Sequence, residues 1–290
     1  VTLRFALFGH PVAHSLSPAI HQAAYRALGL THRYELIDVA DEAALARAVA
    51  AVRGGELAGA NVTVPWKRAA LALADRADAT AADVGAANTL VAAEGGVVAH
   101  NTDVMALVEE LGRLVRSPER VLVLGAGGAA LASVAAARAL GAKNIGVSAR
   151  KWSPEVAPAS RAQATEFERL GAEPLPWSAE DGPLAEFAAR SDAVVQATSA
   201  GMHGAGPGSD VARVIPWQRL PKRSVAYDLV YNPSDTEFQR SARAAGLVAE
   251  GGLGMLVAQA ARAFELWLGA APPREPMALA ARRALAERSA

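Results

Sequence analysis

Short apolar runs alternate along this chain with longer stretches of helical periodicity. Arg4 to Phe8, Arg33 to Val39 and Ala60 to Val64 read as strands, the last stopped by Pro65. Between them, Pro18 to Leu28 puts Ile20, Ala24 and Leu28 on one helical face and ends at Gly29. Asp41 is placed to N-cap an alanine-rich helix that stops before Gly54-Gly55, and another helix follows Pro65. Asn88 to Ala92 and Val97 to His100 flank Glu94-Gly95-Gly96 as a hairpin, which leads through Asn101-Thr102-Asp103 into a helix ending at Leu114. From Val121 the texture changes. Val121 to Leu124 is wholly apolar, and a glycine turn, a long alanine-rich helix and a strand from Asn144 to Ala149 follow it. Ala193 to Ala197 and Ser224 to Leu229 fit further strands. Trp152 to Ala164 and Gly204 to Gly208 read as loops because Pro, Ser and Gly crowd there. Beyond Gly251-Gly252-Leu253-Gly254, helices from Met255 to Leu268 and from Pro276 onward close the chain. The alternation predicts an α/β fold with largely parallel sheets.

Composition narrows the function classes. A length of 290 residues suggests two domains, and the 52% hydrophobic fraction is inflated by alanine. Lys+Arg and Asp+Glu balance at 29 each, so no bulk field exists to hold nucleic acid or anionic lipid. The absence of cysteine removes disulfides, thiolate nucleophiles, Fe–S clusters and cysteine zinc sites. His10 and His14 are four apart but lack a partner that would complete a metal pattern, and no metal is expected. The most membrane-like stretch, Val121 to Ala137, is broken by Gly125, Gly127 and Gly128 and is too short to span. The amino end carries no apolar core of a secretory signal, so a cytoplasmic protein is expected. Only Lys67, Lys143, Lys151 and Lys222 are lysines, which makes each a candidate for proton chemistry that arginine cannot perform.

Val121-Leu-Val-Leu-Gly125-Ala126-Gly127-Gly128-Ala129-Ala130 places glycines between a buried strand and a helix start. There they permit a tight turn and let backbone N–H groups approach a pyrophosphate. Ala130 stands where a third glycine would complete the dinucleotide fingerprint, and a turn that merely packs helix on strand stays open as a reading. The following strand ends in Ser148-Ala149-Arg150-Lys151-Trp152, with no acid before Glu155. Two adjacent cations suit a 2′-phosphate where an NAD enzyme would offer a carboxylate, so NADP is favoured; solvated loop charges are the alternative.

The first hundred residues carry polar groups at strand ends. His14-Ser15-Leu16-Ser17-Pro18 precedes the first helix, where two hydroxyls and free N–H groups could hold a carboxylate. Capping by Ser17 with Pro18 at the first helical position explains the same residues, and both can hold. Asn61 and Thr63 share a strand face, and Lys67 follows at the strand's end, where α/β sheets place ligands. Lys67 reads either as an acid/base or as a surface lysine opening a helix. Asn88-Thr89 and Asn101-Thr102-Asp103 repeat the pattern of amide, hydroxyl and carboxylate, which matches a polyhydroxylated substrate.

Together, His14-Ser-Leu-Ser-Pro18, Asn61-Val-Thr-Val-Pro-Trp-Lys67, Gly85-Ala-Ala-Asn-Thr89, Asn101-Thr-Asp103, the glycine turn, Ala197-Thr-Ser-Ala-Gly-Met202 and Gly252-Leu-Gly-Met-Leu-Val-Ala-Gln259 resemble the shikimate dehydrogenase family, in its order and over nearly the whole chain. The resemblance implies an NADP-dependent oxidoreductase that reversibly reduces 3-dehydroshikimate to shikimate on the route to aromatic amino acids. It implies that Ser15 and Ser17 hold the substrate carboxylate, that Thr63, Lys67, Asn88, Asp103 and Gln259 contact its hydroxyls, and that Tyr231 closes the carboxylate end. Lys67 and Asp103 would be the catalytic pair. Gly125, Ala126, Gly127, Gly128, Ala129, Ala149, Arg150, Lys151, Trp152, Ser153, Leu229 and Gly252 would line the NADP site. A carboxylate beside Lys67 favours its ammonium, which suits protonation of an alkoxide in the reducing direction.

The implied layout is an N-terminal α/β substrate domain, residues 1–103 plus 253–290, and a Rossmann-type doubly wound NADP domain, residues 104–252, around a cleft that closes on its ligands. A monomer or homodimer is expected. Some positions depart from the family pattern: Trp66 replaces a usual phenylalanine, Gln196 an asparagine and Gly251 an aspartate, and the second clamp arginine near Arg150 is missing. Two rivals remain. An NAD-preferring quinate/shikimate dehydrogenase tends to carry an acid where Arg150 and Lys151 stand and often a threonine at Ser17. A non-catalytic dinucleotide sensor would need neither Lys67 nor Asp103.

Overall fold

The computed structural model describes residues 1–152, 158–178 and 181–289. The chain forms two compact units, Val1–Ala106 with Leu256–Ala290, and Leu107–Met255. No helix among the described residues is long and apolar enough to cross a membrane.

The first unit is built on β1 (Arg4–Gly9), α1 (Ser17–Ala27), β2 (Arg33–Asp38), α2 (Glu42–Arg53), β3 (Gly59–Val62), α3 (Lys67–Leu73), β4 (Arg76–Ala77), α4 (Ala79–Val84), β5 (Thr89–Ala93), β6 (Gly96–His100) and the start of α5 (Thr102–Leu114). Its sheet runs β2-β1-β3-β5-β6-β4. β1 is parallel to β2 and β3, while β5 runs antiparallel to both β3 and β6, so this sheet is mixed. Asp41 caps α2 as expected, its carboxylate accepting from the Ala44 N–H at 2.7 Å. β3 ends at Val62, two residues before its expected end. The Val64 carbonyl turns to accept from the His10 N–H at 3.0 Å, and the Val64 side chain faces solvent.

One apolar cluster includes Phe8, Leu45, Val49, Val62, Leu90 and Val97. An aromatic group of Phe5, His21, Tyr25, Tyr34 and Trp267 also packs in this unit, with Phe5 and Trp267 stacked at 4.7 Å. Gly59 is required here: a Cβ on it would lie 2.3 Å from the Trp267 indole nitrogen, which donates to the Leu90 carbonyl at 3.0 Å.

The second unit contains β7 (Arg120–Leu124), α6 (Gly128–Ala139), β8 (Asn144–Ser148), α7 (Pro158–Arg169), β9 (Glu173–Leu175), α8 (Pro183–Ala188), β10 (Ala193–Gln196), α9 (Ser209–Arg213), β11 (Val225–Asp228), α10 (Glu237–Ala244) and β12 (Val248–Gly251). α11 (Leu253–Leu268) and α12 (Arg274–Ser289) complete the chain, and the unit boundaries fall within α5 and α11. Its six strands are all parallel in the order β12-β11-β10-β7-β8-β9, which is the doubly wound dinucleotide-binding arrangement. The order reverses between β7 and β10, the switch point outside whose carboxyl ends such sheets bind ligands. The loop expected over Trp152 to Ala164 is corrected from Pro158 on: α7 begins there, since proline fits a first helical turn and buried Phe167 and Leu170 anchor the helix on the unit.

A buried carboxylate lies at the end of β11. Asp228 accepts from the Thr236 hydroxyl at 2.5 Å and the Val230 N–H at 2.9 Å, yet burial pushes its carboxyl up to about 6 from 3.8. The folded chain therefore holds this proton more tightly than the unfolded chain. Stability from this group falls as pH rises from about 3.8 to about 6, by on the order of 3 kcal/mol at roughly 1.4 kcal/mol per unit, and is level above. Asp228→Asn is expected to flatten that part of the profile, measured by urea unfolding at stepped pH.

Candidate active site

Lys67 opens α3 just beyond β3, and two contacts set its position. Its carbonyl accepts from the Ala87 N–H at 2.9 Å, and the neighbouring Trp66 indole donates to the Val39 carbonyl at 2.7 Å, a bond that a phenylalanine could not make. Asp103 sits in the first turn of α5. Asn101 fixes that turn: its side-chain oxygen accepts from the Asp103 and Val104 N–H groups while its amide donates to the Ala86 carbonyl. The result is a Lys67 Nζ to Asp103 Oδ2 contact of 2.5 Å, with the two side chains only 15% and 5% exposed.

The carboxylate's other oxygen is held by a directional chain of hydrogen bonds. The Tyr34 hydroxyl donates to Asn61 Oδ1 (2.8 Å), and Asn61 Nδ2 donates to Thr89 Oγ1 (3.1 Å). The Thr89 hydroxyl donates to Asn88 Oδ1 (3.2 Å), and Asn88 Nδ2 donates to Asp103 Oδ1 (2.8 Å). Thr102 adds its backbone N–H to Asn88 Oδ1 at 2.7 Å. Each amide is thereby oriented by the bonds its neighbours make. His21 stacks on Tyr34 at 4.3 Å, and burial pushes its imidazole down to about 3, so no second charge enters the chain. Asn61→Ala leaves the Tyr34 hydroxyl proton without its acceptor and takes one donor from Thr89 Oγ1, whose own proton still goes to Asn88; an unfolding free energy lower by roughly 2–4 kcal/mol is expected in urea titrations.

Ser15 and Ser17 stand together at the start of α1, but Ser17 does not cap it. Leu16 occupies the cap position, Ser17 is the first helical residue, and Ser15 Oγ accepts from the Ser17 N–H at 3.2 Å while donating to Ser17 Oγ at 3.1 Å. The Ser17 hydroxyl is not engaged in closing the helix end. Arg288 of α12 reaches back to the carbonyls of His14 and Ser15, a tie the sequence reading missed. Thr63 follows β3 directly, its N–H donating to the Phe8 carbonyl at 2.8 Å. Gln259, on α11, is buried and donates to the Leu256 carbonyl at 2.8 Å. Tyr231 belongs to the second unit, half-buried after β11. His10 pairs with Asp38 at 3.0 Å, and no cluster of metal-binding side chains occurs among the described residues.

In the second unit the glycine turn lies at the switch point. Gly125 has φ +131°, its N–H donates to the Ser148 carbonyl at 2.8 Å, and a Cβ there would come 2.8 Å from the Ala197 carbonyl oxygen after β10. Gly127 caps α6 with no side chain, and a Cβ at Gly127 would meet open space. The amide groups of the first turn, from Gly128 and Ala129, are thus uncovered by any capping side chain. Gln163 of α7 donates to the Ala126 carbonyl at 2.5 Å, a support the loop reading had missed. Ala149, Arg150 and Lys151 follow β8, the two cations exposed, and Arg150 Nη1 meets Asp210 Oδ2 at 3.1 Å. Trp152 is buried with its ring against Phe167, so its indole serves the core. Ser153 lies outside the described residues. Leu229 and Gly252 pack on each other: a Cβ on Gly252 would lie 2.2 Å from the Leu229 oxygen.

A doubly wound sheet with a glycine turn at its switch point, and a second unit in which two helix starts bring together a buried lysine–carboxylate pair, define a two-unit α/β nucleotide-dependent oxidoreductase. Comparison with known proteins narrows the class. The family description "Shikimate dehydrogenase substrate binding domain" matches residues 7–90, and "Shikimate 5'-dehydrogenase C-terminal domain" matches residues 252–282. A shikimate dehydrogenase (NADP(+)) of Citrifermentans bemidjiense is 41% identical over 288 residues, covering 95% of this chain and 94% of the relative. The crystal structure of shikimate 5-dehydrogenase from Thermus thermophilus in complex with NADP(H) and shikimate superposes with a TM-score of 0.80 at 37% identity, over 98% of this chain and 100% of that one. Quinate dehydrogenase from Corynebacterium glutamicum in complex with NAD gives a TM-score of 0.81 at 29% identity, over 96% and 98%. The chain belongs to the shikimate dehydrogenase family.

Proposed function

We propose that this protein is an NADP-dependent shikimate dehydrogenase, reversibly reducing 3-dehydroshikimate to shikimate in aromatic amino acid (chorismate) biosynthesis. The observation that carries this reading is the buried Lys67–Asp103 pair, backed by an ordered amide and hydroxyl chain in a relative of shikimate dehydrogenases. Ser15 and Ser17, whose hydroxyls stand together at the start of α1, bind the substrate carboxylate. Thr63, Asn88, Asp103 and Gln259 take the ring hydroxyls.

The second unit fits a dinucleotide. Gly127 leaves open space at an uncapped helix start, and Arg150 and Lys151 lie exposed after β8. Gly125 to Ala129 would receive the pyrophosphate, Arg150 and Lys151 the 2′-phosphate, with Ala149, Leu229 and Gly252 alongside. When bound, NADPH supplies the hydride. This chain's part is the proton: as charge collects on the substrate oxygen, Lys67 donates Nζ–H to it and is left as a neutral amine beside Asp103, to be reprotonated from solvent. Asp103, its other oxygen tied by Asn88, keeps Nζ aimed.

The test is NADPH absorbance with shikimate and NADP, then with NAD, then with quinate in place of shikimate. Turnover with shikimate and NADP is expected to dominate. Preference for quinate with NAD would give the rival dehydrogenase, and no turnover with any pair would leave only a dinucleotide sensor.

A further inference from the structure

The cation offered to the 2′-phosphate already has an anionic neighbour. Arg150 stands in the 3-10 turn Arg150–Trp152 directly after β8, and its Nη1 lies 3.1 Å from Asp210 Oδ2. Neither backbone is loosely held. Trp152, two residues on, is buried against Phe167, and on α9 the residues following Asp210, Val211 and Ala212, are buried. The α9 segment is also pinned by close passage of Gly201 and Gly208, where a Cβ on Gly208 would come 3.2 Å from the Gly201 Cα. Asp210 is therefore held beside Arg150 by the fold, with both side chains about half exposed, at 51% and 46%.

We propose that Asp210 is a cofactor-specificity determinant, its carboxylate competing with the 2′-phosphate for the Arg150 guanidinium and so weakening this protein's preference for the phosphorylated dinucleotide. The inference rests on the NADP reading of Arg150 given above. A guanidinium has donors to spare, so a phosphate can still reach it, but a dianion approaching Arg150 also meets the Asp210 charge. A ribose bearing only hydroxyls meets no such repulsion. A carboxylate near the adenosine ribose is how NAD-binding sheets favour the unphosphorylated ring, and here one is supplied by α9 instead of by the end of β8.

The test reads binding directly, by calorimetry on the free protein with 2′,5′-ADP and 5′-AMP as probes. Exposed ion pairs are worth up to about 1 kcal/mol, or about fivefold, and a dianion amplifies the effect. Asp210→Asn, which keeps shape and removes charge, is expected to tighten 2′,5′-ADP about three- to tenfold and to leave 5′-AMP within about twofold. The gain should shrink as salt rises from roughly 0.02 to 0.5 M, because both groups are exposed. It should also vanish in an Arg150→Gln background. Unchanged or weaker 2′,5′-ADP binding in Asp210→Asn, with the wild type still preferring 2′,5′-ADP over 5′-AMP, would overturn the proposal alone; weakening would make Asp210 a support that holds Arg150 in place. A wild type indifferent to the 2′-phosphate, and unaffected by Arg150→Gln, would overturn the NADP reading and this proposal with it.

Discussion

Replacing Lys67 with alanine is expected to lower kcat for shikimate oxidation and dehydroshikimate reduction about 10³-fold, with shikimate affinity changed by no more than about threefold. General acid–base catalysis by a positioned side chain contributes roughly 10²–10⁴ in rate, and the loss falls in kcat because proton transfer matters most where charge develops. The geometry supports that assignment over a surface lysine. Lys67 is mostly buried, meets Asp103 at 2.5 Å, and is held by the Ala87 N–H on its carbonyl and by the Trp66 indole, one residue before it, on the Val39 carbonyl. Steady-state kinetics paired with shikimate binding by calorimetry separates the outcomes. Affinity falling in step with turnover would instead make Lys67 a substrate anchor. Removing the ammonium also leaves Asp103 without its counter-charge, so the variant should be checked for cooperative unfolding before its rates are interpreted.

Gly125→Ala is expected to cost roughly 3 kcal/mol of stability and to raise the dissociation constant for NADPH at least about tenfold. Its φ of +131° is one that side chains rarely adopt, and the added Cβ would come 2.8 Å from the Ala197 oxygen. That oxygen belongs to backbone immediately after β10, whose register against β7 runs Val195 to Val123 and Gln196 to Leu124. Relief of the clash must therefore shift the turn, and the turn is what the pyrophosphate would touch. Urea unfolding and NADPH fluorescence titration measure the two effects separately. Weaker binding with full stability would confine the role of Gly125 to cofactor contact, and no change in either would remove the need for its backbone conformation.

The two units differ in how far their chemistry was readable. In the second unit, Val121 to Leu124 reads as a buried strand because every residue is apolar, and the glycines directly after it mark the turn; the signal is contiguous. The full six-strand order was not readable, since β9 and β12 are short and their place depends on pairing with distant strands. In the first unit, Asn61, Lys67, Asn88-Thr89 and Thr102-Asp103 stood out as polar groups at strand ends, yet which of them bond to one another, and that Tyr34 joins them, was not legible. A tyrosine in a strand carries no local mark that its hydroxyl meets an asparagine 27 residues on. The Asp210 contact to Arg150 spans 60 residues and was equally invisible.

Sequence alone determined the α/β alternation, the glycine turn, the Asp41 cap and the family, because periodicity, capping and motif order are short-range properties that a linear reading can follow. Tertiary structure alone decided which side chains share a hydrogen bond. It ended β3 at Val62, left the Ser17 hydroxyl out of helix capping, turned Trp152 into the core and set an acid beside Arg150. Those outcomes depend on sheet register and on which helix covers which strand, and both are set by the packing of residues far apart in the chain.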